Sequence, residues 1–564
     1  MSILDWIVLV GTLLFIVIYG IWKSRGSKNI EGYLLADKSM PWYVVGISIM
    51  ATQASAITFL SAPGQAYTDG MRFVQFYFGL PIAMVVLSIT FVPIFHRLKV
   101  FTAYEFLEER FDLKTRALAA FLFLVQRGLA CGLTIYAPSI ILSSILGWNI
   151  YSTNLIMGGL VVLYTVAGGT KAVSITQMHQ MAVIFIGMFI AGYMVLHLIP
   201  DNLNLSESLK VAGSMGKLNV VDFSFDLKNQ YNIWSGLIGG FFLALAYFGT
   251  DQSQVGRYLS GKSVGQSRLG LLFNGIIKIP MQFLILMIGA LLFVFYQFHQ
   301  PPVHFNRVET EKITASQYAD EFENLNKKYE ILYTEKQSHL GNLTTAIRAK
   351  DDISKEQHAS QLSVKEEEMK KVRTEVMQLM KKNDPRAETN DTNYIFLSFV
   401  TRFLPAGLIG LLIAVIFSAS MSSTSSELNA LASTTVVDIV KRFSKKERNE
   451  KEYLGVSRWV TVMWGAYAIF VAMFANQLGS LIEAVNKLGS LFYGTILGIF
   501  VVAFYFKKIK GANVFYAALT AEACVLISFW FDLTAFLWLN LIGCILVILF
   551  AYMYHFLRRS ISPS

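Results

Sequence analysis

The run LPAGLIGLLIAVIFSASMSSTSSELNA, residues 404–430, decides how the chain is read. Its first half is apolar enough to sit in a bilayer. Its second half, FSASMSSTSSELNA at 417–430, holds six serines. Hydropathy ends the span near residue 425, which places the hydroxyls in its last turns. On a helix, positions i, i+3 and i+4 share a face. Ala419, Ser422 and Ser423 therefore cluster, and Ser422, Ser425, Ser426 and Asn429 form an adjacent polar stripe. A serine hydroxyl is a neutral oxygen ligand, and by bonding a helix carbonyl it can bend the helix. Several such oxygens suit a hard monovalent cation such as Na⁺. Small residues also let membrane helices pack closely, which would explain one or two serines. Six at this density favour an ion site.

The rest of the chain agrees with a membrane setting. Of 564 residues, 54% are hydrophobic and 15% charged, against about 25% charged in a soluble domain. Apolar blocks recur at about 20 residues, the length of a membrane-crossing helix. Strand alternation is absent, which excludes a β-barrel. The block Ile3 to Trp22 has no basic n-region or cleavage-like site, so it reads as a retained span and not a signal peptide. Cys131, Cys524 and Cys544 lie in apolar segments, with no disulfide framework or metal spacing.

Apolar length predicts an all-α polytopic protein of about 13 transmembrane helices, near 3–23, 41–61, 73–97, 117–146, 150–168, 178–199, 232–256, 268–298, 394–425, 455–475, 479–505, 512–531 and 534–557. Basic loops at 23–28, 96–116, 168–171, 256–268, 441–458, 507–510 and 558–560 fall on one side. Positive-inside bias makes that side cytoplasmic, with the N-terminus outside and the C-terminus inside. The expected location is the cell (plasma or inner) membrane. The net charge of +10 is then a topology signal, and nucleic acid is not a partner.

Residues 304–392 do not belong to the bilayer. They are rich in Lys and Glu, and separate a first part of the transmembrane core (1–303) from a second (393–564). Tyr318, Phe322, Leu325, Tyr329 and Leu332, then Met369, Val372, Val376 and Leu379, step by threes and fours. Both runs predict helical seams of a hairpin or short coiled coil, with a break at Gly341. The insert is either a solvated elaboration or a docking surface for a partner protein or a second copy.

Other polar residues inside spans are costly and are functional candidates by default. SIMATQASAITFLSAPGQAY, 48–67, carries Ser48, Thr52, Gln53, Ser55 and Thr58 mid-span before Pro63-Gly64. GGFFLALAYFGTDQSQVGRYL, 239–259, is interrupted at Gly249–Gln252. Interrupted helices at matching places in two halves point to the central site of a secondary transporter. Arg127 and Lys278 are lone basic residues in apolar surroundings. Either could snorkel, but Arg127 lies about three turns into its span, where a guanidinium would suit a carboxylate or other anion.

At LADKSMPWYVVGISIMA (35–51), TAYEFLEERF (102–111), YTVAGGTKAV (164–173), QVGRYLSGKS (254–263) and SSTSSELNALASTTVVDI (422–439), the chain resembles the sodium/solute symporter family. The resemblance spans everything except 304–392. It implies a leucine-transporter-type fold, with two inverted five-helix repeats in spans two to six and seven to eleven after one extra N-terminal helix. It implies a sodium site at Ala51, Ala54, Ala419, Ser422 and Ser423. Ser425 and Ser426 match a second sodium site of some members. The aspartate that completes that site there is matched here by Gln177, so one coupled Na⁺ is expected. The substrate positions carry over as Thr58, Tyr77, Tyr247, Lys278 and Asn486, with Ala244 among the replaced sugar contacts. Arg127 joins them from its chemistry and not from a strict match.

The resulting expectation is sodium-coupled import of a small organic solute by alternating access, leaning to a carboxylate or other organic anion. The alternatives are a neutral sugar or polyol, and a transporter-like sensor signalling through the insert. No nucleophile–base pairing, phosphate loop or metal-ligand spacing supports an enzyme.

Overall fold

The computed structural model describes residues 1–24, 38–200, 203–444, 449–475 and 478–561, excepting side chains at 17, 20–24, 167–172 and 559–561. Among the described residues the protein is all-helical. Nine stretches are long and apolar enough to cross a membrane, and three shorter apolar helices, Ile3–Ile16, Ile150–Val166 and Ser235–Thr250, accompany them. The expected basic loops at 23–28 and 441–458 lie partly outside the described residues, as do the side chains of 168–171 and 559–560.

The apolar helices Ile150–Val166 and Val173–Leu198 correspond to the spans expected at 150–168 and 178–199, with helical backbone between them. One expected boundary is corrected. The span expected at 394–425 is divided. A short helix, Ile395–Phe403, ends before Pro405 and Gly407, and a new helix runs Leu408–Thr434. Gly407 sits at φ +90°, where a side chain would be strained. A π-helical turn, Thr435–Val440, then carries the chain on to Phe443. The serines are therefore mid-helix and not at its end. Hydropathy misplaced the boundary because it assumes that polar residues meet water. Here 83% of the most apolar window of Leu408–Phe443 is buried inside the protein, and the six serines are buried with it.

Both expected interruptions are present. The first separates Trp42–Gln53 from Ala56–Asp69. The second separates Gly240–Thr250 from Gln252–Leu259 at Asp251, which is extended (φ −79°, ψ 119°). The Leu408–Thr434 helix packs on Trp42–Gln53, Leu113–Leu146 and Ile150–Leu198, while Val264–Phe298 covers both halves of the first interrupted helix. The extra N-terminal helix is pinned by Asp5, whose carboxylate accepts from the Gly407 amide at 2.6 Å and the Gly410 amide at 3.2 Å. Those are unpaired donors at the start of Leu408–Thr434, where negative charge is favoured.

The insert folds as a hairpin of Ala319–Ala349 and Asp352–Asn383, preceded by Arg307–Thr314. The expected seam residues form a hydrophobic cluster of their own, with Phe322, Tyr329, Met369, Val372, Val376 and Leu379 buried and Tyr318, Leu325 and Leu332 packed against them. The break expected at Gly341 is a correction. That glycine lies inside the first helix, with open space beside it. The chain turns instead at Lys350 (φ 56°), and Asp351 caps the second helix by accepting from the Ser354 amide at 3.1 Å. The return segment anchors to the core. Asn393 accepts from Ser61 at 2.8 Å. The buried Glu388 carboxyl accepts from Tyr136 at 3.0 Å and Tyr394 at 2.6 Å.

Candidate transport site

The break at Ala54–Ser55 frees two carbonyls. In an unbroken helix the Ser55 amide would pair with Ala51 and the Thr58 amide with Ala54. Instead the Ser55 amide bonds the Gln53 carbonyl at 3.0 Å, and the Thr58 amide bonds the Ser55 carbonyl at 2.9 Å. Ser422 Oγ donates to the Ala51 carbonyl at 3.4 Å. Ser423 Oγ donates to the Ala419 carbonyl at 3.0 Å. Ser422 thus ties the broken helix to the serine-rich one, Ala419 and Ser423 lie within a turn of it on the same helix, and Ala54 sits at the break. All five residues are almost fully buried. Neutral oxygens of this kind, mid-membrane and next to unwound backbone, can replace the hydration shell of a monovalent cation.

The neighbouring polar stripe is arranged differently. Gln177 Nε2 donates to Ser426 Oγ at 2.9 Å, to Thr52 Oγ1 at 3.3 Å and to the Ser422 carbonyl at 3.3 Å. The amide nitrogen answers oxygens that a second cation would need. Ser425 turns back on its own helix, donating to the Ser422 carbonyl at 3.1 Å.

Beside these lies a cavity of about 110 Å³ that Thr58, Tyr77, Arg127, Tyr247 and Asn486 all line. The cavity thus joins five residues that lie far apart in the chain. Lys278 is close but set back. It is fully buried, its ammonium lies 5.6 Å from the centre of the Tyr77 ring, and it does not line the cavity. Tyr247 stands under the Arg127 guanidinium, 5.4 Å from ring centre to Cζ, and accepts a hydrogen bond from Gln254 at 2.7 Å.

Arg127 is not the lone cation that the sequence suggested. It forms ion pairs with Asp251 and with Glu427, the latter at 3.0 Å, and donates to the Tyr493 hydroxyl. Glu427 also accepts from Thr134 at 2.9 Å, and Tyr493 donates to Asp251 at 2.7 Å. Asp251 sits at the second helix break and caps Gln252–Leu259 by accepting from the Ser253 amide at 2.8 Å. Glu427 and Tyr493 were missed as site residues. The available signal was three ionisable side chains in apolar spans, which must find each other in a low-dielectric interior.

A helical membrane protein with two interrupted helices crossing at a central cavity is a secondary transporter of the leucine-transporter type. A solved structure of similar fold aligns at TM-score 0.75 and 21% identity, covering 99% of this chain and 98% of that one. It is described as the substrate-bound outward-open state of a Na⁺-coupled sialic acid symporter that reveals a novel Na⁺ site. The model of the sodium:solute symporter family matches residues 33–320 and 383–521, leaving out only hairpin residues between them. The chain belongs to that family, and Na⁺ is its coupling ion. Among similar proteins is the sodium-coupled monocarboxylate transporter 1 of Xenopus laevis, 24% identical over 94% of this chain and 72% of that protein. The human sodium/iodide cotransporter is 29% identical over 49% of this chain and 43% of that protein.

Proposed function

We propose that the protein imports a small organic anion, of monocarboxylate size, together with one Na⁺, by alternating access. The small cavity carries this reading, and the similarity to sodium-coupled monocarboxylate transporters supports it. Na⁺ is held by Ala51, Ala54, Ala419, Ser422 and Ser423. Bridging the first interrupted helix to Leu408–Thr434, it favours the outward-open state and shapes the adjoining cavity. Thr58, Tyr77, Tyr247 and Asn486 contact the solute. Arg127 faces it with a charge already shared by Asp251 and Glu427, so it orients more than it attracts. The Gln177 amide closes the place of a second ion at Ser425 and Ser426.

One Na⁺ moving through 100 mV contributes about 2.3 kcal/mol, and a tenfold gradient adds about 1.4 kcal/mol. Together these support accumulation of roughly 500-fold at one-to-one stoichiometry. Positive-inside bias puts the N-terminus and the 304–392 domain outside, between core parts 1–303 and 393–564, with the C-terminus in the cytoplasm.

The test is uptake into proteoliposomes under an inward Na⁺ gradient, offering lactate, iodide, galactose and myo-inositol. Sodium-dependent accumulation of lactate is expected. Accumulation of galactose or myo-inositol in its place overturns the anion reading.

A further inference from the structure

The second half of the second interrupted helix, Gln252–Leu259, packs against Leu408–Thr434. Between the two lies a separate cavity of about 10 Å³, lined by Gln252, Ser253, Arg257, Ser426, Asn429 and Ser433. That is room for one small ligand, about the size of a water molecule.

Most of these polar groups are already engaged. Gln252 Nε2 donates to the Phe101 carbonyl at 2.9 Å, and its Oε1 accepts from the Ala103 amide at 3.1 Å. Ser253 donates to Asp251 at 2.6 Å. Ser426 and Ser433 donate to carbonyls of their own helix at 2.9 Å and 3.0 Å. Asn429 and Arg257 differ. Asn429 is buried, and neither of its polar atoms has a partner. Arg257 is equally buried, donates to Ser174 Oγ at 3.2 Å, and meets no carboxylate among the described residues.

A buried guanidinium without a counter-charge is costly in a low-dielectric interior. Arg127, in the same protein, is met by Asp251 and Glu427. Lys278 behind the Tyr77 ring is unanswered too, but a lysine can shed its proton and an arginine cannot. A water molecule in the cavity would answer the Asn429 amide and leave the charge. A small anion answers both, taking N–H groups from the guanidinium and from Asn429 Nδ2. Size excludes an organic acid and leaves a monatomic ion.

We propose that Arg257 and Asn429 form a binding site for a single chloride ion, held between Gln252–Leu259 and Leu408–Thr434. The ion supplies the negative charge that no side chain brings to Arg257. The inference does not depend on which solute is carried.

Crystals of the full-length wild type grown in bromide test it first, because bromide replaces chloride and scatters anomalously. An anomalous peak between the Arg257 guanidinium and the Asn429 amide is expected. Equilibrium binding of labelled chloride to the purified chain then gives the affinity, with labelled Na⁺ as a readout of the fold. Arg257→Gln should weaken chloride binding roughly thirtyfold or more, as for loss of one partner of a buried charge pair. Asn429→Leu should weaken it about tenfold, as for one hydrogen bond to a charged group. Na⁺ binding should be kept in both variants, and lactate should not displace the chloride. Displacement by lactate would make this a carboxylate site and overturn the assignment. A cavity without bromide, or chloride binding unchanged in Arg257→Gln, overturns the proposal outright. Where a variant loses Na⁺ binding as well, the bromide position in the wild type decides alone.

Discussion

At Ala54–Ser55 and at Asp251 the chain breaks a helix deep inside the protein, and both breaks leave backbone groups without helical partners. The first is surrounded by alanines, serines and threonines. Its Ala51 carbonyl accepts from the Ser422 hydroxyl of Leu408–Thr434, and the groups at the break are neutral. The second places a carboxylate at the break, where it caps the following helix and draws in Arg127, Glu427 and Tyr493. A neutral break can take a cation and release it, because nothing in the protein competes for the charge. A charged break is satisfied internally and holds helices from both halves together. One interruption is built for exchange and the other for cohesion, and substitutions should separate the two.

The largest effect is expected at the charged break. Arg127→Met leaves two buried carboxylates unpaired and should cost about 3–5 kcal/mol. Thermal melting in detergent should show a much less stable protein. Adding Asp251→Asn and Glu427→Gln should restore most of the loss. If the single variant melts like wild type, the cluster is not a cohesive device.

At the neutral break, Ser423→Ala removes one cation ligand. Apparent Na⁺ affinity should fall about tenfold to a hundredfold, as for loss of a hydrogen-bond partner of a charged group worth about 1.5–3 kcal/mol. The Na⁺-free melting temperature should hardly move. Equal losses with and without Na⁺ would show that the serine is only packing.

Gln177→Asp sharpens the same contrast by adding a charge beside Ser426. The Na⁺-to-solute ratio, read from reversal potentials, should rise from one to two. An unchanged ratio would mean that the amide is not what closes the second site.

The smallest effect lies outside both breaks, at Glu388 in the segment returning from the insert. Burial pushes its carboxyl up to about 7, against the hydrogen bonds of Tyr394 and Tyr136, which act to lower it. A raised carboxyl favours the protonated form in the folded state. Its stabilisation is therefore full below the ordinary value of 4.5 and is lost as pH rises through about 7. Amide exchange of residues 384–394, corrected for intrinsic rate, should show protection declining over that window. In Glu388→Gln the decline should vanish.

Much of this was readable along the chain because it is local. Two-helix seams in the insert follow from threes and fours, and the break at 54–55 follows from polar residues crowded in mid-span. The i, i+3, i+4 spacing already placed Ala419, Ser422 and Ser423 together. The misreadings are equally physical. Gly341 looked like a turn, but the other residues of its helix pack well enough to carry one glycine, and Lys350 turns the chain instead. The span expected to end at 425 continues because its serines face protein.

The sequence alone determined that the chain is a helical membrane protein, which helices are interrupted, and which residue types could hold Na⁺. Those properties depend on composition and on periodicity over a few turns. Only the tertiary structure decided that Arg127 is answered by Asp251 and Glu427, that the Gln177 amide takes up Ser426, and that Lys278 stands unanswered behind Tyr77. Each is a pairing between residues far apart in the chain, and whether a buried charge is free or spent depends on which neighbour the packing brings within about 3 Å of it.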